Sequence, residues 1–281
     1  MRNALLITDL DNTLYDWVTF FTSSFRGMVG ELAKLIDLPE ERILSEFREV
    51  HQKYGNSEQP FAILELDALR RKFPGACRAE LAKKVDPALH RFNKLRKETL
   101  KLYPDVLETL MDLKENGVTI VGHTEAIVAN AYWRLAKLEI ETYFSRLYAL
   151  EGKESIHRGE MIREVDPPPG FVRIVPQDER KPNPALIADI CQREGVDISR
   201  TFYVGDSIVR DMAMARNAGA VAIWARYGIK YDLSHWEYLV KITHWTDEDV
   251  RREKDLRAKY ADVRPDHAVD SFGAIRGIIL G

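Results

Sequence analysis

The apolar run Ala4-Leu5-Leu6-Ile7-Thr8 ends abruptly in Asp9-Leu10-Asp11-Asn12-Thr13, two acids and a hydroxyl at alternate positions. If the backbone stays extended past Ile7, the side chains of Asp9, Asp11 and Thr13 leave on one side. Carboxylates held together repel: at about 4 Å and an effective dielectric of about 20, like charges cost about 4 kcal/mol. A bound Mg²⁺, or one raised pKa, relieves that repulsion, so the pattern points to a catalytic or metal-binding role. The same residues also suit an Asx-type turn. A calcium loop is excluded, because counted from Asp9, Leu14 stands where Gly belongs and Phe20 where the bidentate Glu belongs.

A second stretch repeats the theme. Thr201-Phe202-Tyr203-Val204 ends in Gly205-Asp206-Ser207, and Asp211 follows five residues after Asp206. Gly205 lets the backbone turn closely, Asp206 faces the strand end, and Asp211 falls about one turn into the next helix. Acids so spaced can converge on one cation. Between the two acidic strands, Val118-Thr119-Ile120-Val121-Gly122 reads as a strand finishing at His123-Thr124-Glu125. The Thr124 hydroxyl can bond a phosphate oxygen, as can the free N–H groups of a helix starting there; it can equally cap that helix, near Glu125. Lys181 stands just before the Pro182-Asn183-Pro184 helix start, where it can neutralise carboxylate and phosphate charge together.

These residues need a scaffold of buried parallel strands whose C-terminal ends share one crevice. The chain predicts an α/β fold, a Rossmann-like three-layer core with a central, mostly parallel sheet. From Trp17 to Leu100 the periodicity is helical throughout, as in Phe21, Phe25, Met28 and Leu32. So long a gap before the next strand predicts an inserted all-helical cap over 17–100, with 1–16 and 101–281 forming the core. Segments near 150–180 and 228–264 read as decorations, the second carrying Trp236, Trp245 and a charged helical run. That second segment suits a surface ornament or an interface, including one between copies of the chain.

At 281 residues the chain has room for a core and a substantial insertion. Its 45% hydrophobic and 30% charged content are ordinary for a soluble protein, and a net charge of −3 offers no electrostatic case for nucleic acid or an anionic membrane. Asp9 interrupts the first apolar run too early for a signal peptide, and no apolar stretch approaches the ~18 residues that span a bilayer. Cys77 and Cys191 form no CxxC pair and read as reduced core thiols of a cytoplasmic protein. The seven histidines show no zinc-ligand spacing.

Taken together, Asp9-Leu-Asp11-Asn-Thr13, Thr124, Lys181-Pro-Asn-Pro and Gly205-Asp206-Ser-Ile-Val-Arg-Asp211 resemble the phosphatase branch of the haloacid dehalogenase-like superfamily. The resemblance covers the core strands and their loops, about half the chain by inspection of those motifs, and the helical block falls where relatives carry a cap. It implies that Asp9 is a nucleophile forming an aspartyl-phosphate and Asp11 the general acid and base. It implies Mg²⁺ held by Asp9, the Asp11 carbonyl and Asp206, with Asp211 as a ligand or its support. Thr124 and Lys181 would hold the phosphoryl oxygens, and Thr13 and His123 would touch substrate. The dehalogenating branch lacks an acid two residues after the nucleophile, so Asp11 favours phosphoester hydrolysis. His123 and Glu125 depart from the small residues or Asn commoner beside this Thr.

The expectation is a Mg²⁺-dependent phosphomonoester hydrolase acting on a small soluble phosphometabolite, with a nucleoside monophosphate as one candidate. Tyr15, Trp17, Lys53, Tyr54 and Phe61 are candidates for cap specificity. A phosphomutase or phosphotransferase would use the same groups. A receiver-like protein that accepts phosphate on Asp, or a scaffold on a retained enzyme fold, are the non-enzymatic readings. Receivers, however, lack a large insertion and place their lysine after the last hydroxyl strand.

Overall fold

A computed structural model describes residues 4–152 and 166–281. Seven strands form one parallel sheet in the order β4-β3-β2-β1-β5-β6-β7. They are β1 (Leu5–Thr8), β2 (Thr119–Ile127), β3 (Arg146–Leu150), β4 (Val172–Val175), β5 (Thr201–Gly205), β6 (Val221–Ala225) and β7 (His267–Val269). Short β1 lies at the centre, pairing Leu5 with Thr119 of β2 on one side and Thr201 of β5 on the other. It is buried along its whole length, which is why it reads as an unbroken apolar run.

The eleven α-helices of the described residues are α1 (Trp17–Ile36), α2 (Glu40–Tyr54), α3 (Asp67–Lys72), α4 (Arg78–Thr99), α5 (Val106–Glu115), α6 (Val128–Lys137), α7 (Pro184–Glu194), α8 (Ala213–Ala218), α9 (Leu233–Ile242), α10 (Asp247–Lys259) and α11 (Ile275–Leu280). Alternation along β1 assigns the layers. Leu6 packs into a core with Val106 and Leu110 of α5, Leu135 of α6 and Ile279 of α11. Leu5 and Ile7 point to the opposite face, where Ile187 and Ile190 of α7 and Met214 of α8 cover them. The result is a three-layer α/β/α core.

Between β1 and β2 the chain is helical. Asp16 caps α1 by accepting from the Thr19 N–H at 2.9 Å. Phe21, Phe25, Met28 and Leu32 form its buried stripe. A Cβ on Gly27 would collide with the Leu95 side chain, so α1 and α4 approach closely there. Helix α9 packs back onto this block through the contacts His51 Nδ1 to Ile242 O and Thr22 Oγ1 to His235 Nδ1, each 2.6 Å.

Two readings need correction. Strand β2 continues to Ile127, so His123 and Thr124 lie within it and α6 begins at Val128, not near Glu125. Cys77 is exposed, although Cys191 is buried. Of the decorations, 153–165 lies outside the described residues; the remainder includes β4, an edge strand of the sheet, while 228–264 contributes α9 and α10.

Candidate active site

Asp9 sits one residue past β1, its N–H still donating to Val204 O at 2.9 Å. It therefore lies at the carboxyl end of the sheet, between β1 and β5, where the strand order reverses and α/β sheets form their binding crevice. The backbone does not stay extended beyond it. The Thr13 N–H donates to Leu10 O and Asn12 takes a left-handed conformation, φ 58°, which asparagine tolerates. This turn, not strand alternation, carries Thr13 Oγ1 to 3.1 Å from Asp9 Oδ2. Asn12 Oδ1 then accepts from the Trp17 N–H, joining the turn to α1.

From the other side of the crevice comes Lys181, 3% exposed, whose Nζ donates to Asp9 Oδ1 at 2.6 Å and Asp211 Oδ1 at 2.8 Å. Asp211 is held in turn by the Ser207 N–H at 3.1 Å and the Tyr203 hydroxyl at 3.2 Å. A Cβ on Gly205 would overlap the Asp211 carboxylate, so glycine is required for this approach. Oxygens of Asp9, Asp206 and Asp211 all lie within 4.8 Å of one another.

Three acids facing one ammonium set the electrostatics. Burial raises the Asp9 pKa to about 7; Lys181 opposes the shift and Asp211 adds to it. Because Lys181 divides its charge between two carboxylates, it does not fully offset the desolvation of Asp9. Asp206 is raised well above the usual range, again by burial first, then by Asp9 and Asp211. Burial pulls Lys181 down, but Asp211 and Asp9 more than reverse that and keep it cationic. A cluster of hard carboxylate oxygens with surplus negative charge fits a divalent cation such as Mg²⁺.

Thr124 is buried near the end of β2, its Oγ1 accepting from the Ala126 N–H at 3.0 Å. The hydroxyl thus caps its own strand end, and the cap of α6 itself is Ile127. His123, 1% exposed, places Nδ1 3.2 Å from the Tyr203 hydroxyl, so it reaches Asp211 through Tyr203. Burial, and then the nearby Lys181 charge, hold it well below its usual pKa and hence neutral.

A family model described as haloacid dehalogenase-like hydrolase matches residues 4–219, and a HAD-hydrolase-like model matches 179–275. The chain belongs to the haloacid dehalogenase-like hydrolases. It is similar to the glyceraldehyde 3-phosphate phosphatase of Methanopyrus kandleri, 26% identical over 236 residues, 83% of this chain and 88% of that one. It is also similar to the phosphoglycolate phosphatase of Haemophilus influenzae, 26% identical over 229 residues, 80% of this chain and 86% of that one. Its fold is similar to that of a 2-haloacid dehalogenase from Pseudomonas syringae pv. Tomato, with TM-score 0.58, 20% identity and 100% and 99% of the two chains covered. The HAD phosphatase from Thermococcus onnurineus superposes with TM-score 0.53 at 14% identity, covering 99% of this chain and 98% of that one.

In this haloacid dehalogenase-like hydrolase the Asp11 carboxylate stands apart from the three converging acids. Arg134 Nη2 donates to Asp11 Oδ2 at 3.2 Å, while Asp11 Oδ1 is buried with no hydrogen-bond partner among the described residues. Arg134 also donates from Nη1 to Glu58 Oε2 at 2.6 Å and from Nε to the Tyr15 hydroxyl at 2.9 Å. Glu58 accepts a further bond from the Trp17 indole at 3.1 Å. Motif reading singled out neither Arg134 nor Glu58. The available signal was an arginine on the apolar face of α6, among Ala131, Tyr132 and Leu135. Of the cap candidates, Tyr15 and Trp17 join this network, whereas Lys53 and Tyr54 both bond Glu65.

Proposed function

We propose that this phosphatase of the haloacid dehalogenase-like family hydrolyses a small phosphate monoester through an aspartyl-phosphate on Asp9. The observation that carries this reading is the convergence of Asp9, Asp206, Asp211 and Lys181 at the sheet's switch point. Asp9 Oδ2, bonded among the described residues only to the neutral Thr13 hydroxyl, is the oxygen free to attack phosphorus. Attack forms the Asp9–phosphorus bond as the ester bond breaks, and the departing oxygen takes a proton from Asp11. Water then attacks phosphorus, gives its proton back to Asp11 and releases phosphate together with the regenerated Asp9 carboxylate. Oδ1 of Asp11 is the atom for that proton, since Arg134 already holds Oδ2.

Lys181 and Thr124 would steady the phosphoryl oxygens. Asp9, Asp206 and Asp211, with the Asp11 carbonyl, would hold Mg²⁺, which when bound offsets the charge of an arriving phosphate dianion. Thr13 positions Asp9, and His123 supports Asp211 through Tyr203. Both curated relatives are named for small phosphorylated compounds, which supports a small phosphometabolite over a nucleoside monophosphate. Among the described residues no helix is long and apolar enough to cross a membrane, which is compatible with the cytoplasmic setting we propose.

The direct test is phosphate release from an aryl phosphate with Mg²⁺ and with excess chelator. Chelator-sensitive release that disappears in Asp9→Asn supports the reading. Release unaffected by either change removes the nucleophile and metal assignments. Transfer to an added alcohol with little free phosphate would move the assignment to a phosphotransferase.

A further inference from the structure

The chain leaves β6 through a single 3₁₀ turn, Arg226–Ile229, whose contacts reach both acidic loops of the site. The Tyr227 hydroxyl donates to Thr13 O at 2.6 Å, in the loop after β1. Trp224, within β6, donates from its indole to Asp206 O at 2.9 Å, in the loop after β5. Gly228 is buried beside these two clamps. A Cβ built on it would overlap Asn12 O and come within 2.9 Å of Asp206 Cβ. Backbone alone therefore fills the gap between the two loops.

Gly228 does not take a left-handed conformation, so its missing side chain matters for space and not for backbone freedom. The atoms it faces give little room to move: one is a peptide carbonyl, the other the first carbon of a side chain. Asn12 O also directly follows the Asp11 carbonyl along the chain. The turn is tied to the loop after β1 a second time. The Tyr227 ring packs edge to face on Tyr103, centroids 5.1 Å apart, and the Tyr103 N–H donates to Leu14 O at 2.9 Å. Burial first, then Tyr103 and the charges of Asp206 and Asp9, push the Tyr227 pKa well up, so its hydroxyl stays a donor.

We propose that the Tyr227-Gly228 turn sets the size of the cation site, with Gly228 as its spacer, and so favours Mg²⁺ over the larger Ca²⁺. The inference rests on the reading of Asp9, Asp206, Asp211 and the Asp11 carbonyl as Mg²⁺ ligands, and adds what fixes their separation. Mg²⁺ demands oxygens at about 2.0–2.1 Å in near-octahedral order, whereas Ca²⁺ accepts about 2.3–2.6 Å in looser arrangements. The donors belong to two loops that a methyl group at position 228 would force apart. Trp224, Tyr227 and Gly228 act through Asp206, Thr13 and Asn12, and are positioning residues.

The test titrates the full chain with magnesium chloride and with calcium chloride at constant ionic strength. The readout is the thermal shift, counting the part that Asp206→Asn abolishes, from which an affinity for each metal follows. In Gly228→Ala the Mg²⁺ affinity is expected to fall about 10- to 100-fold, the range for outer partners of metal ligands. Ca²⁺ affinity falls less, so the Mg²⁺-to-Ca²⁺ affinity ratio drops. A merely structural loss lowers the midpoint in chelator and leaves that ratio unchanged. Tyr227→Phe, which frees Thr13 O without adding volume, weakens Mg²⁺ binding by a smaller factor and serves as the second variant. An unchanged ratio in folded Gly228→Ala overturns the proposal; if that variant does not fold, unchanged Mg²⁺ binding by Tyr227→Phe overturns it. A wild type that shows no shift with either metal overturns the cation site itself, and the proposal with it.

Discussion

Arg134 Nη2 lies 3.2 Å from Asp11 Oδ2, joining a helix that follows β2 to the loop that follows β1. The guanidinium is 1% exposed and binds Glu58, from the helical stretch between β1 and β2, at the same time. One buried cation thereby links the loop after β1, α6 and the segment before α3. Removing one member of such a buried group leaves the others desolvated and unpaired.

Arg134→Met is therefore expected to lower stability by about 3–5 kcal/mol, read as a fall in the urea midpoint. Glu58→Gln alone should lower it less. The double variant should lose clearly less than the sum of the singles, because each removes the same ion pair. Additive losses would mean that Arg134 and Glu58 do not act through each other.

The two N-terminal acids should separate kinetically. Asp9→Asn should leave the fold intact and take turnover to the detection limit, since it removes the proposed nucleophile. Asp11→Asn should lower kcat by about 10²–10⁴ on an alkyl phosphate, the range for a lost general acid. On an aryl phosphate, whose leaving group needs less protonation, the loss should be smaller. Equal losses on both esters would remove Asp11 from leaving-group protonation.

Metal binding should depend on pH in a stated direction. The folded pKa of Asp9, about 7, lies above its usual 3.8, so between these values the folded chain holds a proton that the unfolded chain has released. Metal-free stability should therefore fall as pH rises from about 4 to about 7, by up to about 1.4 kcal/mol per pH unit from this group. Mg²⁺ competes with that proton, so the thermal shift it produces should grow between pH 5 and pH 8. Asp206→Asn should abolish the shift. A shift of equal size at both pH values would contradict the three-acid site.

Helix α10 has no buried residue, yet it touches the site walls. Arg210 bridges Glu125 and Glu253, at 2.7 and 2.8 Å, and Arg252 donates to the Lys181 carbonyl at 2.9 Å. Arg210→Ala should lower stability by less than about 2 kcal/mol, as its ion pairs are partly hydrated. It should reduce kcat more than KM changes if α10 steadies Lys181 and the strand ends. Unchanged kinetics would make α10 an ornament.

The sequence by itself determined the α/β class, the helical character of the stretch after the first strand, and the two acidic strand ends. Those features are local: an apolar run broken by Asp9, a 3.6-residue stripe through Phe21 and Phe25, and a glycine before Asp206 need no distant partner to be read. Tertiary structure decided what those local signals could not hold. Thr13 meets Asp9 through a turn at Asn12 and not through strand alternation. Lys181 divides its charge between acids 172 and 30 positions away in the chain. Arg134 and Glu58 acquire their roles only where α6 meets the segment before α3. Charge and burial act through space, and a side chain's partner across the sheet or on another helix leaves no mark on its own neighbours in sequence.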